Sequence, residues 1–132
     1  MLKNIAIIAT LWHKKHLEEM VDEARKTAKQ ENLNIAKQVV VPGCYEIPLA
    51  LKRILASKSI DGVVVLGIIE RGETKHGMVM GIVVHDAIVR LELESNKPVG
   101  LAILGPEILP KQIPKRIRHY ARKAVEALKL ML

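Results

Sequence analysis

The sequence predicts an α/β fold, a three-layer αβα sandwich in which helices cover both faces of a four-stranded parallel sheet. Short apolar runs rich in β-branched residues alternate with longer segments whose apolar residues recur at helical spacing. An order of β-α repeated along the chain calls for parallel strands joined by right-handed crossovers. Repeats, low-complexity tracts and linkers are absent, so we expect residues 1–132 to form one domain.

The first half of the chain predicts two strands and two helices. Residues 4–10 (NIAIIAT) are typical of a strand buried on both faces. Residues 17–28 carry apolar side chains at helical spacing with Lys and Glu between them. Residues 35–41 predict a second strand, ended by a Pro-Gly pair, and a short helix should cover residues 46–57.

The second half continues the alternation. Residues 60–69 (IDGVVVLGII) are the most apolar strand, and a turn at 70–74 leads to a helix over 75–95. Residues 99–104 predict the fourth strand, which a Gly-Pro pair should end. An apolar stripe over 117–131 predicts the last helix.

The third helix breaks the amphipathic pattern. Between Met78 and Leu93 the sequence (MVMGIVVHDAIVRLEL) is apolar nearly all round, whereas a surface helix of a monomer keeps one polar face. The helix is either enclosed in the core or covered by a second subunit. The small size of the domain favours the second explanation and predicts a homo-oligomer.

Composition narrows the classes of partner. A net charge of +7 admits a nucleic acid, an acidic membrane or a small anionic substrate. The chain has one Trp, two Tyr and no Phe for base stacking, so we expect no nucleic-acid partner. Its apolar stretches are short for a membrane span, and its N-terminus has no signal-peptide pattern. One cysteine excludes an intramolecular disulfide, and we expect a cytoplasmic protein.

Loops at the carboxyl ends of the strands are the expected ligand site. They span residues 11–13, 42–46, 69–76 and 105–116. An aromatic ring, a carboxylate, a Gly-x-Thr-x-His turn and several cations should therefore converge on one crevice.

The third of these loops carries the most chemistry. Gly72 gives the backbone freedom to turn, and Thr74 is the expected N-cap of a helix beginning near Lys75. Free N–H groups and the helix dipole favour an anion there, and His76 can exchange a proton at neutral pH. The same pattern also occurs as a simple helix cap without a ligand.

Neither a metal site nor a cysteine nucleophile is expected. His76 and His85 are nine residues apart and leave a helix on opposite sides. Cys44 lacks the CxxC or Cys–His pattern of a reactive thiol. Residue types and spacing alone thus indicate an α/β domain with a candidate anion site.

Four segments, in order, resemble the lumazine synthase family. VPGCYEIPLALKRIL (41–55) resembles its Val-Pro-Gly-small-aromatic-Glu-Ile-Pro segment, and LGIIERGETKHG (66–77) its Leu-Gly-x-x-Ile-x-Gly-x-Thr-x-His segment. KPVGLAILGP (97–106) is similar to its fourth strand, and Gln112 and Arg116 match a Gln-Ala-x-x-Arg spacing. The resemblance covers nearly the whole chain.

The resemblance implies a flavodoxin-like strand order, 2-1-3-4, and a transferase of riboflavin biosynthesis, 6,7-dimethyl-8-ribityllumazine synthase. The family condenses 5-amino-6-(D-ribitylamino)uracil with 3,4-dihydroxy-2-butanone 4-phosphate, releasing phosphate and two waters. The amine of one substrate is the nucleophile, so the resemblance implies no cofactor. It implies two small-molecule substrates, one a phosphate ester, and active sites shared between subunits of a pentamer or of a larger capsid of pentamers.

Residue by residue, the resemblance implies that His76 is the catalytic, proton-transferring histidine. It implies that Arg116 binds the substrate phosphate, with Glu73 and Thr74 at the phosphate-binding turn. All the positions that match substrate-binding residues of the family are Trp12, Cys44, Tyr45, Glu46, Ile68, Ile69, Glu70, Glu73, Thr74, Leu101, Arg116 and Arg122.

The remaining roles concern the pyrimidine substrate. Trp12 takes the place of the aromatic residue that stacks on its ring. Residues 44–46 match the segment that holds ribityl chain and ring, with Glu46 accepting hydroxyl hydrogen bonds. Residues 68–70 match the strand end whose backbone reads the pyrimidine edge.

Some positions depart from the family pattern. Trp12 and His13 stand where many members have Phe-Asn. Leu101 replaces an aromatic residue that a neighbouring subunit contributes, and Arg122 aligns with a lysine of the terminal helix only across a one-residue gap. Pro114 stands close to Arg116, where a proline shifts the start of a helix.

Other readings compete with this one. An archaeal-type riboflavin synthase shares the fold and the Val-Pro-Gly turn but lacks the Gly-x-Thr-x-His segment. A basic, non-catalytic oligomer would bind polyanions with steep salt dependence. A degenerate member of the family would bind lumazine or flavin without making it.

Overall fold

The computed structural model describes residues 1–132 and contains a single four-stranded sheet. All strands are parallel and ordered β2-β1-β3-β4, which confirms the predicted topology. The strands are β1 (Lys3–Thr10), β2 (Leu33–Val41), β3 (Gly62–Glu70) and β4 (Val99–Ile108). The helices are α1 (Lys14–Gln30), α2 (Ile47–Leu55), α3 (His76–Ser95) and α4 (Ile117–Met131). Short 3₁₀ turns cover Cys44–Glu46 and Pro110–Gln112.

Two apolar cores lie on opposite faces of the sheet. Along β1, Ile5 and Ile7 pack into the core under α1 and α4, whereas Ala6 and Ile8 pack into the core under α2 and α3. Side chains of a strand alternate between faces, so a strand covered on both sides is apolar at every position. The continuous apolar runs of the sequence have this origin.

β4 is longer than the sequence predicts. Gly105 and Pro106 do not end the strand, which continues to Ile108 after a shift in its pairing with β3. Gly105 has φ +97° and lies against the carbonyl oxygen of Ile69, where a side chain would collide with it. Glycine adopts this conformation readily, so the strand bends at Gly105 and pairs again beyond it.

The start of α3 also differs from the prediction by one residue. The helix begins at His76, and Lys75 occupies the N-cap position without a side-chain cap. The Thr74 hydroxyl still accepts a hydrogen bond from the His76 N–H at 3.3 Å. Thr74 therefore supports the first turn from just outside the helix.

α3 has an apolar face that the chain itself does not cover. Gly81, Val84 and Ile88 are its buried residues. Its exposed apolar residues are Val79, Ile82, Val83, Val89 and Leu93. A core helix enclosed by its own chain is therefore excluded, and covering by another subunit agrees with this exposure. None of the helices is long and apolar enough to cross a membrane.

Candidate active site

A cavity of about 590 Å³ opens at the carboxyl ends of β1, β2 and β3. This is the end of a parallel sheet at which ligands bind, and the volume suits a small organic molecule. The residues that line the cavity are Trp12, Pro42, Gly43, Cys44, Glu46, Ile68, Ile69, Glu70, Arg71, Gly72, Thr74, His76, Gly77 and Met80.

Backbone hydrogen bonds join the loop after β1 to the loop after β2. The Leu11 N–H donates to the Val41 carbonyl at 2.7 Å, and the Trp12 N–H donates to the Pro42 carbonyl at 3.2 Å. The hydroxyl of Thr10 donates to the carbonyl of Trp12 at 3.1 Å. The backbone of Trp12 is thus fixed at the rim, while the residue as a whole is 67% exposed. Trp12 is therefore not a core residue, and its ring is free to stack on a ligand.

The 3₁₀ turn after β2 supplies the base and one wall of the cavity. The Cys44 thiol is buried and lies 3.9 Å from the Ile68 carbonyl oxygen. Burial raises the pKa of the Cys44 thiol to about 11, so the group is neutral at physiological pH and does not act as a nucleophile. Glu46 is exposed to the cavity at the N-cap of α2, where the helix dipole favours a carboxylate.

The first turn of α3 forms the opposite wall. The exposed ring of His76 borders the cavity, and its centroid lies 6.0 Å from that of the Tyr45 ring. Thr74 borders the cavity beside it, next to a helix N-terminus that favours anions. A proton-exchanging group and an anion-binding turn therefore face the same space.

His13 occupies the junction between β1 and α1 in a contact that the sequence did not reveal. Its Nε2 lies 3.2 Å from Oε2 of Glu70, the last residue of β3. Partial burial lowers the pKa of His13, the Glu70 carboxylate opposes this effect, and nearby His16 adds to it. The imidazole is therefore mainly neutral at pH 7. Only the side-by-side pairing of β1 and β3 brings these two residues together.

The loop after β4 does not enter this cavity. Arg116 lies at the N-cap of α4 and donates from Nη1 to the Gln112 carbonyl at 2.9 Å. Nη2 of Arg122 lies 3.4 Å from Nδ1 of His119. Leu101 borders a separate groove beside α4.

Most of the predicted site residues border the cavity. Glu73 is exposed and does not line the cavity. Tyr45 does not line the cavity either, but its ring lies beside the ring of His76, which does. Arg71 and Met80 line it although sequence reasoning did not select them. Arg71 could have been selected from the sequence, because it lies in the predicted turn at a strand end. Met80 could not, because nothing in the sequence distinguishes it from the other apolar residues of the helix.

Comparison with known proteins identifies the family. Residues 3–132 match the family model described as 6,7-dimethyl-8-ribityllumazine synthase. The chain belongs to this family. Its membership makes it a transferase of riboflavin biosynthesis that acts on small molecules and forms oligomers. The match also favours this enzyme over the riboflavin synthase that shares its fold.

Relatives named 6,7-dimethyl-8-ribityllumazine synthase occur in several archaea. The protein of Metallosphaera sedula is 44% identical over 108 residues, which are 82% of this chain and 72% of that protein. The protein of Saccharolobus solfataricus is 40% identical over 108 residues, 82% of this chain and 70% of its own length. The protein of Staphylothermus marinus is 38% identical over 113 residues, which are 86% of this chain and 75% of that protein.

Proposed function

We propose that this lumazine synthase condenses 5-amino-6-(D-ribitylamino)uracil with 3,4-dihydroxy-2-butanone 4-phosphate to give 6,7-dimethyl-8-ribityllumazine, phosphate and two waters. The observation that carries the proposal is one cavity that combines a stacking ring, a carboxylate, an anion-binding turn and His76. The reaction joins two molecules and moves protons, so it needs positioning and acid–base groups. No cofactor is required, because the amine of the uracil substrate is the nucleophile.

The pyrimidine substrate fits the end of the cavity formed by β1, β2 and β3. Trp12 offers an exposed indole face for its ring, and the backbone of Ile68 to Glu70 lies at the strand end. Glu46 can accept hydrogen bonds from ribityl hydroxyls beside Cys44 and Tyr45. In this arrangement the amine is proposed to face the wall formed by α3, where His76 lies.

The phosphate ester fits the first turn of α3. The hydroxyl and N–H groups around Thr74, with the dipole of α3, favour its phosphate, and Glu73 flanks the turn outside the lining. His76 is exposed at this wall and can take a proton from the attacking amine and return it to a leaving oxygen. Proximity of two bound substrates then supplies much of the rate enhancement.

Arg116, Leu101 and Arg122 are proposed to complete the site of an adjacent subunit. None of them lines the cavity of its own chain, although all three match substrate-binding positions of the family. A pentamer, or a capsid of pentamers, would bring these residues to a neighbouring cavity. The uncovered apolar face of α3 supports such an assembly. We propose further that residues 1–132 act as one domain in the cytoplasm.

A steady-state assay with both substrates tests this function. Lumazine absorbance and phosphate release should rise together in a one-to-one ratio. The variant His76→Ala should lose about 10²–10⁴-fold in kcat, the usual contribution of a positioned acid–base group. His16→Ala is the matched control, because His16 lies on α1 and does not line the cavity. A folded oligomer that makes no product, or a fully active His76→Ala variant, would contradict the proposal.

A further inference from the structure

The backbone at His13 is in the left-handed region, which few residues other than glycine adopt. His13 has φ 62° and ψ 44°, in the left-handed region, and it precedes α1 without making a side-chain cap. Glycine occupies this region without strain, and asparagine, aspartate and histidine are the other residues most often found in it. The backbone therefore accepts several residue types at this position, and the role of the imidazole depends on the groups that its ring contacts.

The ring of His13 lies between two residues that line the cavity. On one side it meets the indole of Trp12 edge-on, with centroids 5.9 Å apart and planes at 83°. On the other side its Nε2 approaches the carboxylate of Glu70 at 3.2 Å. The His13 side chain is only 17% exposed, and its buried Nε2 makes no aligned hydrogen bond, although the Glu70 carboxylate is within 3.2 Å. A small rotation of the Glu70 carboxylate would satisfy this donor.

Glu70 and Trp12 have little else to hold them in place. The Glu70 carboxylate is 32% exposed, ends β3, and forms neither a side-chain hydrogen bond nor an ion pair with any residue other than His13. The indole of Trp12 has His13 as its one aromatic neighbour. A side chain without partners samples several rotamers, and ordering it on binding costs free energy. Contact with the largely buried His13 ring removes part of that cost before the substrate arrives.

We propose that His13 is a positioning residue for the pyrimidine substrate. It holds the Glu70 carboxylate at the cavity rim, where the carboxylate accepts a hydrogen bond from an N–H or O–H group of that substrate. It also supports the indole of Trp12, which covers the pyrimidine ring. His13 does not line the cavity and acts only through these two side chains. This inference rests on the proposed function.

The variant His13→Gly removes the ring and its N–H donor without disturbing the backbone, because glycine adopts the left-handed conformation without strain. We expect the KM for the uracil substrate to rise about tenfold, as for one lost hydrogen bond to a charged group. The KM for the phosphate ester and the kcat should change less than about twofold, and the thermal midpoint should be unchanged. An unchanged KM for the uracil substrate would overturn the proposal.

A double-mutant cycle shows whether His13 acts through Glu70. In a Glu70→Ala background, His13→Gly should leave at most a small further increase in the KM for the uracil substrate, because the carboxylate is already absent. His16→Ala is the control: the His16 ring lies 6.1 Å from the His13 ring but does not line the cavity, so this variant should leave the KM unchanged. Fully additive effects of the two variants would refute action through Glu70.

A measurement that needs no turnover separates this inference from the proposed function. Trp12 is the only tryptophan of the chain, so its fluorescence reports on the rim alone. Time-resolved anisotropy should show a more mobile indole in His13→Gly than in the unmodified chain. If the chain binds the uracil substrate but makes no product, the proposed reaction fails while the Kd values of the same variants still test His13. An indole equally rigid in both proteins would contradict its positioning by His13.

Discussion

At the scale of single residues, burial decides which chemically reactive side chains can take part in the reaction. Cys44 and His76 border the same cavity, but the thiol is buried whereas the imidazole is exposed. Burial in an apolar environment disfavours the thiolate, so Cys44 contributes shape rather than chemistry. His76 keeps contact with water and with any bound ligand, as proton exchange requires.

The buried thiol leads to a prediction about alkylation. Raising the pKa of Cys44 from its ordinary 9.0 to about 11 lowers the thiolate fraction at pH 8 about a hundredfold. Iodoacetamide should therefore modify the folded chain at least about a hundredfold more slowly than the chain unfolded in guanidinium. Mass spectrometry of timed samples measures both rates. Equal rates would show that Cys44 is accessible and ionised in the folded protein.

At the scale of elements, the end of β4 determines the shape of the strand ends around the cavity. The bend at Gly105 allows the strand to pair again beyond it, and the Arg71 N–H donates to the Ile108 carbonyl at 2.8 Å. Arg71 also pairs with Glu107 at 3.3 Å, an exposed contact that adds little stability. The loop that carries Thr74 and His76 is thus anchored at its first residue by β4.

Gly105→Ala should destabilise the fold, because the new methyl group would meet the Ile69 carbonyl and the positive φ disfavours alanine. We expect the free energy of unfolding to fall by roughly 2–4 kcal/mol. Gly72→Ala is the matched control, since no atom lies within 4 Å of its added carbon, and it should change stability by less than about 1 kcal/mol. Urea unfolding at one protein concentration measures both, and equal stabilities would show that β4 does not need glycine here.

At the scale of the whole molecule, the apolar face of α3 is the main surface that a single chain leaves exposed to water. Ile82 is 64% exposed and has apolar neighbours on both sides along the same helix. An apolar face of this kind is stable in water when another subunit covers it. Oligomerisation of the family provides such a subunit, and the proposed shared active sites make assembly a condition of activity.

Ile82→Glu should therefore dissociate the oligomer without unfolding the chain. A carboxylate buried at an interface without a partner costs several kcal/mol, whereas the same group on a monomer is solvated. Light scattering should show that the particle in solution has a lower mass than the original oligomer, and the turnover rate should fall as the oligomer dissociates. Gln30→Glu adds the same charge at the exposed end of α1 and should keep the original mass. If the Ile82→Glu protein formed an oligomer of the original mass, the subunit contacts would lie elsewhere on the chain.

Local patterns were sufficient for the order and type of the elements and for part of the site. Hydrophobic periodicity is a property of neighbouring residues, so it predicted four strands, four helices and the strand-end loops that carry Trp12, Glu46 and His76. Element ends were less certain, since the start of α3 and the end of β4 depend on contacts made by Thr74 and Gly105.

The sequence by itself thus determined the α/β architecture, the family and the residues of three loops at one end of the sheet. Only the tertiary structure decided that the loop of Arg116 lies apart from the cavity and that His13 reaches Glu70. The path of a loop after its strand depends on packing and on register shifts such as that in β4. The contact between His13 and Glu70 depends on which strands are neighbours. Both are long-range properties, and no pattern of adjacent residues encodes them.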